Sequence, residues 1–336
     1  MKNLPLPLVP LLVACAASDA GEPVWIDDFV EQSLAVECEP VPSLTAREST
    51  VTDVATLSDS TFLVLYGRDR EVVLVGPDLE PRRVVAFAED GPTGVRRPSS
   101  ATLVGDTVYV ADQTRSMLKR LGLDGSDRGS VSLSFPPQQV RSLGGAVLVT
   151  PMVMGRHPDH LVYRIVEGDA VPLSVRTVPY GDLVVNLLAN MAGVAAYPDG
   201  RVVVTHTYVI PFAYELRLGE PGPVRRVPVP LPREVGATLG RSPAGTAEQV
   251  RSEDLPVAVI AAAADARSGD LVVLARSGRI RPDGVFEKAV IRLDSELEYR
   301  RSYVLDVNAI RMAYLAARQI AVVVDEVDQW HACPVA

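Results

Sequence analysis

Six segments of this chain share one pattern: a short apolar strand, a tight turn, a Val-rich strand, a polar break and a third strand. They start near Ala55, Ala101, Arg141, Ala195, Ala263 and Ala313, at spacings of 46, 40, 54, 68 and 50 residues. Repetition at this period marks solenoids and propellers, in which one small unit cannot bury its apolar surface alone. ATLSDSTFLVLYGRDREVVLVGPDL and ATLVGDTVYVADQTRSMLKRLGLDG show the pattern most plainly. Val, Ile, Leu and Tyr dominate the middle strands, as buried strands require. Asp59-Ser60, Gly105-Asp106, Gly144-Gly145, Asp199-Gly200 and Ser268-Gly269 fall where the first hairpin must turn, and such residues tolerate the backbone angles of tight turns. Helical periodicity is largely absent. A single three- or four-stranded sheet leaves both faces wet, whereas six arranged radially cover one another. The expected fold is therefore all-β, a six-bladed β-propeller.

The second unit, GDTVYVADQTRSMLKRLGLDG, resembles an NHL-type repeat, with its glycine-turn strand, V-A-D, and a strand ending in D-G. The third and fourth units lack the Asp after the middle strand, so the match there is partial. The whole chain resembles the six-bladed propeller lipoproteins of bacterial envelopes, and that resemblance bears on fold more than on function.

The N-terminus reads MKNLPLPLVPLLVA, with one cation, Lys2, before an apolar run from Leu4 to Ala14. This is the layout of a secretory signal. The run is too short for the roughly 20 apolar residues of a spanning helix, and Pro5, Pro7 and Pro10 interrupt it. Leu12-Val13-Ala14-Cys15 resembles the bacterial lipobox, which implies lipidation of Cys15 as the mature N-terminus. Ala16, where the inner-membrane retention signal has Asp, implies outer-membrane sorting. The alternative is an ordinary secretory signal with a chance Cys. The expected organisation is a signal peptide over 1–14, a short tether over 15–22 and the propeller over 23–336. The chain would then be exported, facing the periplasm or the cell surface, and would meet the membrane through its lipid only.

With Cys15 assigned to lipid, Cys38 and Cys333 remain as a pair in an oxidising compartment. The last unit stops at its third strand, so a strand from around Pro23–Pro40 is expected to complete it, closing the ring and removing an edge. That closure places Cys38 near Cys333 and gives a disulfide a structural reason; two unrelated buried thiols are the alternative. Between the fourth and fifth units an insertion, about 232–256, carries Ser242-Pro243 as a helix start and Pro256 as a stop, with a short helix through Ala247–Asp254.

A formal charge of −9 argues against nucleic acid, which needs a basic face. After the six middle strands stand Tyr66, Asp112, Thr150, His206, Arg276 and Asp325. If these positions are equivalent, Asp112, His206, Arg276 and Asp325 would converge at one mouth of the central channel as a ligand site; otherwise they cap strand ends. His157-Pro158-Asp159-His160 offers two imidazoles, too few ligands for a rigid zinc site. Ser116-Met117-Leu118-Lys119 matches S-x-x-K, but on a strand rather than the helix that chemistry requires. No G-x-S-x-G, H-E-x-x-H, Walker loop or dinucleotide fingerprint occurs. The expectation is a monomeric module binding a small molecule or an envelope protein, with no catalytic residue, metal or cofactor assigned. The alternative is a metal-assisted hydrolase or lyase at the channel mouth, using Asp112, His206 and Asp325.

Overall fold

The computed structural model describes residues 32–47, 49–153, 158–177, 183–207, 212–219, 224–228, 259–282 and 284–336. Cys15, the signal segment and the insertion at 232–256 lie outside these residues. Two strands open the described chain, β1 (Leu34–Val36) and β2 (Glu39–Pro40), followed by a single helical turn, α1 (Pro42–Thr45). Six sheets follow, one per repeat. Blade I holds β3 (Asp53–Thr56), β4 (Phe62–Tyr66), β5 (Glu71–Val75) and β6 (Pro81–Ala86). Blade II holds β7 (Pro98–Val104), β8 (Thr107–Asp112), β9 (Met117–Gly122) and β10 (Asp127–Ser132). Blade III holds β11 (Pro137–Leu143), β12 (Ala146–Pro151), β13 (Tyr163–Val166) and β14 (Asp169–Pro172). A short helix, α2 (Leu183–Ala189), leads into blade IV, made of β15 (Ala192–Ala196), β16 (Arg201–His206), β17 (Phe212–Arg217) and β18 (Arg225–Pro228). Blade V holds β19 (Val259–Ala264), β20 (Leu271–Ile280), β21 (Phe286–Leu293) and β22 (Tyr299–Leu305). Blade VI holds β23 (Ala309–Leu315), β24 (Ile320–Asp325) and β25 (Trp330–Pro334), and β2 supplies its fourth strand. The architecture is the expected six-bladed propeller, and each of the six repeat starts lies in the innermost strand of its blade.

The middle strands are apolar without alternation because both of their faces are covered. In β4, Phe62, Val64 and Tyr66 pack with Ala313, Val322 and Trp330 of blade VI. Leu63 and Leu65, on the opposite face, pack with Ala101, Val108 and Leu121 of blade II. The same arrangement recurs around the ring, so each of the six apolar clusters fills the seam between two neighbouring blades. A fully buried Leu, Val or Phe contributes about 1.5–3 kcal/mol, so two-sided burial makes each middle strand a main source of stability. The hairpins turn where the sequence placed them. Gly144 and Gly145 both have positive φ between the paired residues Leu143 and Ala146, as a two-residue primed turn demands.

The ring closes as expected. Glu39 pairs with Ala332 and Pro40 with His331, antiparallel, and the Cys38–Cys333 disulfide stands beside that pairing. The N-terminal segment does more than this. Before the closure, β1 adds to blade V as a fifth strand, parallel to β22, with Leu34, Ala35 and Val36 facing Tyr303, Val304 and Leu305. The Cys38 amide donates to Asp306 Oδ1 in the link between blades V and VI. The same short segment thus covers one sheet edge, completes the next sheet, and is stapled at the junction. Trp330 is buried between blades VI and I with its ring 5.9 Å from Phe62.

Candidate functional site

The innermost strands run from the wide end of a central channel toward its narrow end. The wide end is a cavity of about 680 Å³, and the narrow end one of about 80 Å³. Val54, Arg141, Ala262 and Met312 line both, and so form the waist between them. The residues two positions before the six repeat starts all line the wide cavity: Asp53, Ser99, Gln139, Gly193, Ala261 and Arg311. Small residues dominate at the starts themselves, where Ala55, Ala101, Ala195, Ala263 and Ala313 are buried and let the blades approach one another. Arg141 stands in the one unit without that alanine.

Arg141 ties three blades together at the waist. Its guanidinium donates in bidentate fashion to Asp53 of blade I, Nη1 to Oδ2 at 2.8 Å and Nη2 to Oδ1 at 2.9 Å. Ser100 of blade II donates to the same carboxylate at 2.6 Å and accepts the Val140 amide of blade III at 2.9 Å. Charge-assisted, two-pronged pairs of this kind are strong and geometrically exacting. Asp53 is therefore fully engaged. Among the described residues it is the only carboxylate in the wide wall, which there contains no His or Cys. Among the described residues, no group of three His, Cys, Asp or Glu is placed to hold a metal ion. The donor set at the mouth does not fit a metal centre.

The wall has two chemical halves. Blades I to III present Thr52, Ser99, Gln113, Gln138 and Gln139. Blades IV to VI present Met191, Val259, Ile260, Ile310 and Met312, with Thr205 and Thr207 of blade IV as their neutral polar members. Arg97, Lys288 and Arg311 add positive charge. Arg311 is partly engaged, its Nε donating to the Thr52 carbonyl at 3.2 Å and its Nη1 to its neighbour Ile310 at 2.8 Å. Burial lowers the Lys288 pKa from the ordinary lysine value, and the nearby Arg276 charge lowers it further. Thr205 Oγ1 and Gln138 Oε1 are buried with no hydrogen-bond partner inside the protein. A buried polar atom left unpaired costs about 1–3 kcal/mol.

Asp112, His206 and Asp325 end their second strands, as the repeat implies, whereas β20 continues past Arg276 to Ile280, and none of the four lines this cavity. Each sits one strand behind the wall, and alternation along the strand turns its neighbours inward instead. Gln113 lines the cavity beside Asp112, and Thr205 and Thr207 line it on either side of His206. Asp112 is fully buried and accepts four backbone amides, from Arg96 (2.8 Å), Arg97 (3.3 Å), Thr114 (3.0 Å) and Arg115 (3.2 Å). It clamps the connection entering blade II to the turn leaving β8. Asp325 closes its own turn by accepting the Val327 and Gln329 amides, and meets His331 Nε2 at 3.1 Å. Arg276 stacks on Phe286, with its guanidinium carbon 3.0 Å from the ring centroid, and pairs in register with Lys288. His206 donates from Nδ1 to the carbonyl of Ala189, the last residue of α2, at 2.8 Å. Burial pushes its pKa down to about 4. His157 lies outside the described residues, while His160 pairs with Asp159 at 2.9 Å. The S-x-x-K match lies on and beside β9, where Ser116 has positive φ in a turn and Lys119 pairs with Asp127.

No family model matches the sequence, and no curated protein matches it. Solved structures do match. A member of the DUF4221 family from Bacteroides vulgatus superposes with a TM-score of 0.59 at 8% identity, covering 90% of this chain and 96% of that one. A Bacteroides fragilis protein described as exported gives 0.57 at 11% identity, covering 92% and 97%. The chain shares their fold. Virginiamycin B lyase from Staphylococcus aureus, solved with quinupristin, gives 0.52 at 12% identity, covering 86% and 81%. Likeness at this level of identity speaks for architecture, and one architecture hosts many chemistries.

Proposed function

We propose that this protein is an exported, lipid-anchored binding module whose small-molecule ligand occupies the wide mouth of the propeller channel. The observation that carries the reading is the cavity of about 680 Å³, walled by all six blades, with the polar side chains of Gln113, Gln139 and Thr207 among its lining. Ligand sites are concave, largely preformed and furnished with a few convergent polar groups, and this volume lies within the usual range of about 300–1,000 Å³. The disulfide at the ring closure supports export, because such bonds persist in oxidising compartments. The exported Bacteroides fragilis neighbour agrees with it. Lipidation at Cys15 rests on the lipobox resemblance, and outer-membrane sorting on Ala16.

The direction of β1 adds a geometric consequence. It runs parallel to the outermost strand β22, from the narrow face toward the wide one. Its pairing with β22 therefore begins toward the narrow face, at Leu34.

Two substitutions test the site. Met191→Trp and Ala261→Trp each put a bulky ring into the wide cavity. Molecules that raise the unfolding temperature of the purified mature protein are expected to lose that effect in both variants. Hits that survive both substitutions would place the ligand elsewhere. The anchor is tested separately: metabolic labelling with radioactive palmitate is expected to mark the wild-type chain and not Cys15→Ser.

A further inference from the structure

The wide mouth is unusual in a chain of net charge −9. Its wall holds four cations, Arg97, Arg141, Lys288 and Arg311, and one carboxylate, Asp53. The Arg141–Asp53 pair cancels itself, so among the described lining residues three positive charges remain without a lining carboxylate to balance them. Cations are rare in this chain's lysine complement too, since Lys288 is one of only three lysines. Lys288 also stands directly across the strand pair from Arg276. Like charges placed opposite one another destabilise a sheet, and Glu326 offsets part of that repulsion at Lys288.

The second half of the argument is the distribution of apolar surface. Met191, Ile260, Ile310 and Met312 line one side of the same cavity, contributed by blades IV, V and VI. Methionine adapts to varied apolar shapes. Burying a hydrocarbon or an aromatic ring there yields about 25 cal/mol for each Å² removed from water. A small hydrated ion uses none of this surface, and a neutral hydrophobe uses none of the charge.

We infer that the ligand is an amphipathic organic carboxylate, its apolar body against the Met191–Ile260–Ile310–Met312 wall and its carboxylate toward Arg97, Lys288 and Arg311. This assignment rests on the mouth being the binding site, and it names the chemical class that the site selects.

Calorimetric titration of the purified mature chain with octanoate and phenylbutyrate, each against its neutral amide, tests it, with inorganic phosphate as a third probe. Both carboxylates are expected to bind at least about ten-fold more tightly than their amides, a difference of about 1.4 kcal/mol. Phosphate is expected to bind far more weakly than either. Lys288→Gln and Arg97→Gln are expected to erase most of the preference for the acid while leaving amide affinity unchanged. Arg97 is exposed, so its replacement leaves the fold intact. Equal affinity for acid and amide overturns the charge assignment while the site stands, as does an acid preference untouched by either substitution. Phosphate binding as tightly as the carboxylates overturns the apolar half. Absence of carboxylate binding at millimolar concentration overturns the class as a whole. Carboxylate binding that survives Met191→Trp shows instead that the mouth is not the site.

Discussion

His206 offers a quantitative test of whether the strand-end residues are structural. Its ring is buried, donates to the Ala189 carbonyl from Nδ1, and lies edge-on to Tyr214 at 5.7 Å between centroids. Burial holds the folded-state pKa at about 4, against an ordinary value of 6.5. The unfolded chain therefore binds a proton below about pH 6.5 that the folded chain refuses until about pH 4. Stability from this group is complete above 6.5 and is lost as pH falls through that window. The gap of about 2.5 in pKa, at about 1.36 kcal/mol per unit, sets a total near 3 kcal/mol. Between pH 7.5 and pH 5 the loss is about 2 kcal/mol. His206→Asn keeps a donor for the Ala189 carbonyl and removes the titration. Urea unfolding of both proteins at the two pH values separates this contribution, because every other titrating group is common to them. The wild type is expected to lose about 2 kcal/mol more than the variant on acidification. Parallel losses would refute the reasoning. So would an NMR titration of the His206 ring with a midpoint near 6.5.

Three further outcomes follow from the packing. The Cys38–Cys333 bond spans 295 residues, and the chain-entropy relation assigns such a loop about 5–6 kcal/mol as an upper figure. The double variant Cys38→Ala, Cys333→Ala is expected to unfold at markedly lower denaturant concentration under non-reducing conditions, and an unchanged midpoint contradicts the closure argument. Asp112→Ala removes the acceptor of four part-buried amides and is expected to cost about 2–3 kcal/mol in denaturant unfolding, with Asp112→Asn costing less. Arg292 holds the buried carboxylates of Asp265 and Asp270 at 3.0 and 2.8 Å, so Arg292→Met is expected to lose about 3–5 kcal/mol, partly restored when both aspartates become asparagine.

The blades were legible because their physics repeats. Two-sided burial forces a continuous apolar run into each middle strand, so FLVLY in β4 and IAVVVD in β24 announce themselves against the polar turns around them. Turn glycines with positive φ mark the hairpins between first and second strands. The closure was legible as well, since three cysteines, one claimed by a lipobox, leave a pair that a ring must bring together. The parallel addition of β1 to blade V was not, because three residues, Leu34-Ala35-Val36, carry no pattern that distinguishes a parallel edge strand from a tether.

The site was harder to read for a physical reason. V-A-D and V-T-H end the second strands with residues that look chemical, and repetition suggested that they meet. Equivalence in a repeat places them at one height, but the innermost strand stands between them and the axis. Their charged groups are consumed in holding connections: four amides on Asp112, a helix-end carbonyl on His206, a turn on Asp325. The channel wall comes instead from the opening residues of each first strand, where burial is partial and composition unremarkable. Its signal lay two positions before each repeat start, where Asp53, Ser99, Gln139, Gly193, Ala261 and Arg311 diverge while the buried alanines beside them persist. A propeller must keep the positions that pack blade on blade. It is free to vary those that face the axis, and in this chain the variation separates a polar half from an apolar half of one cavity.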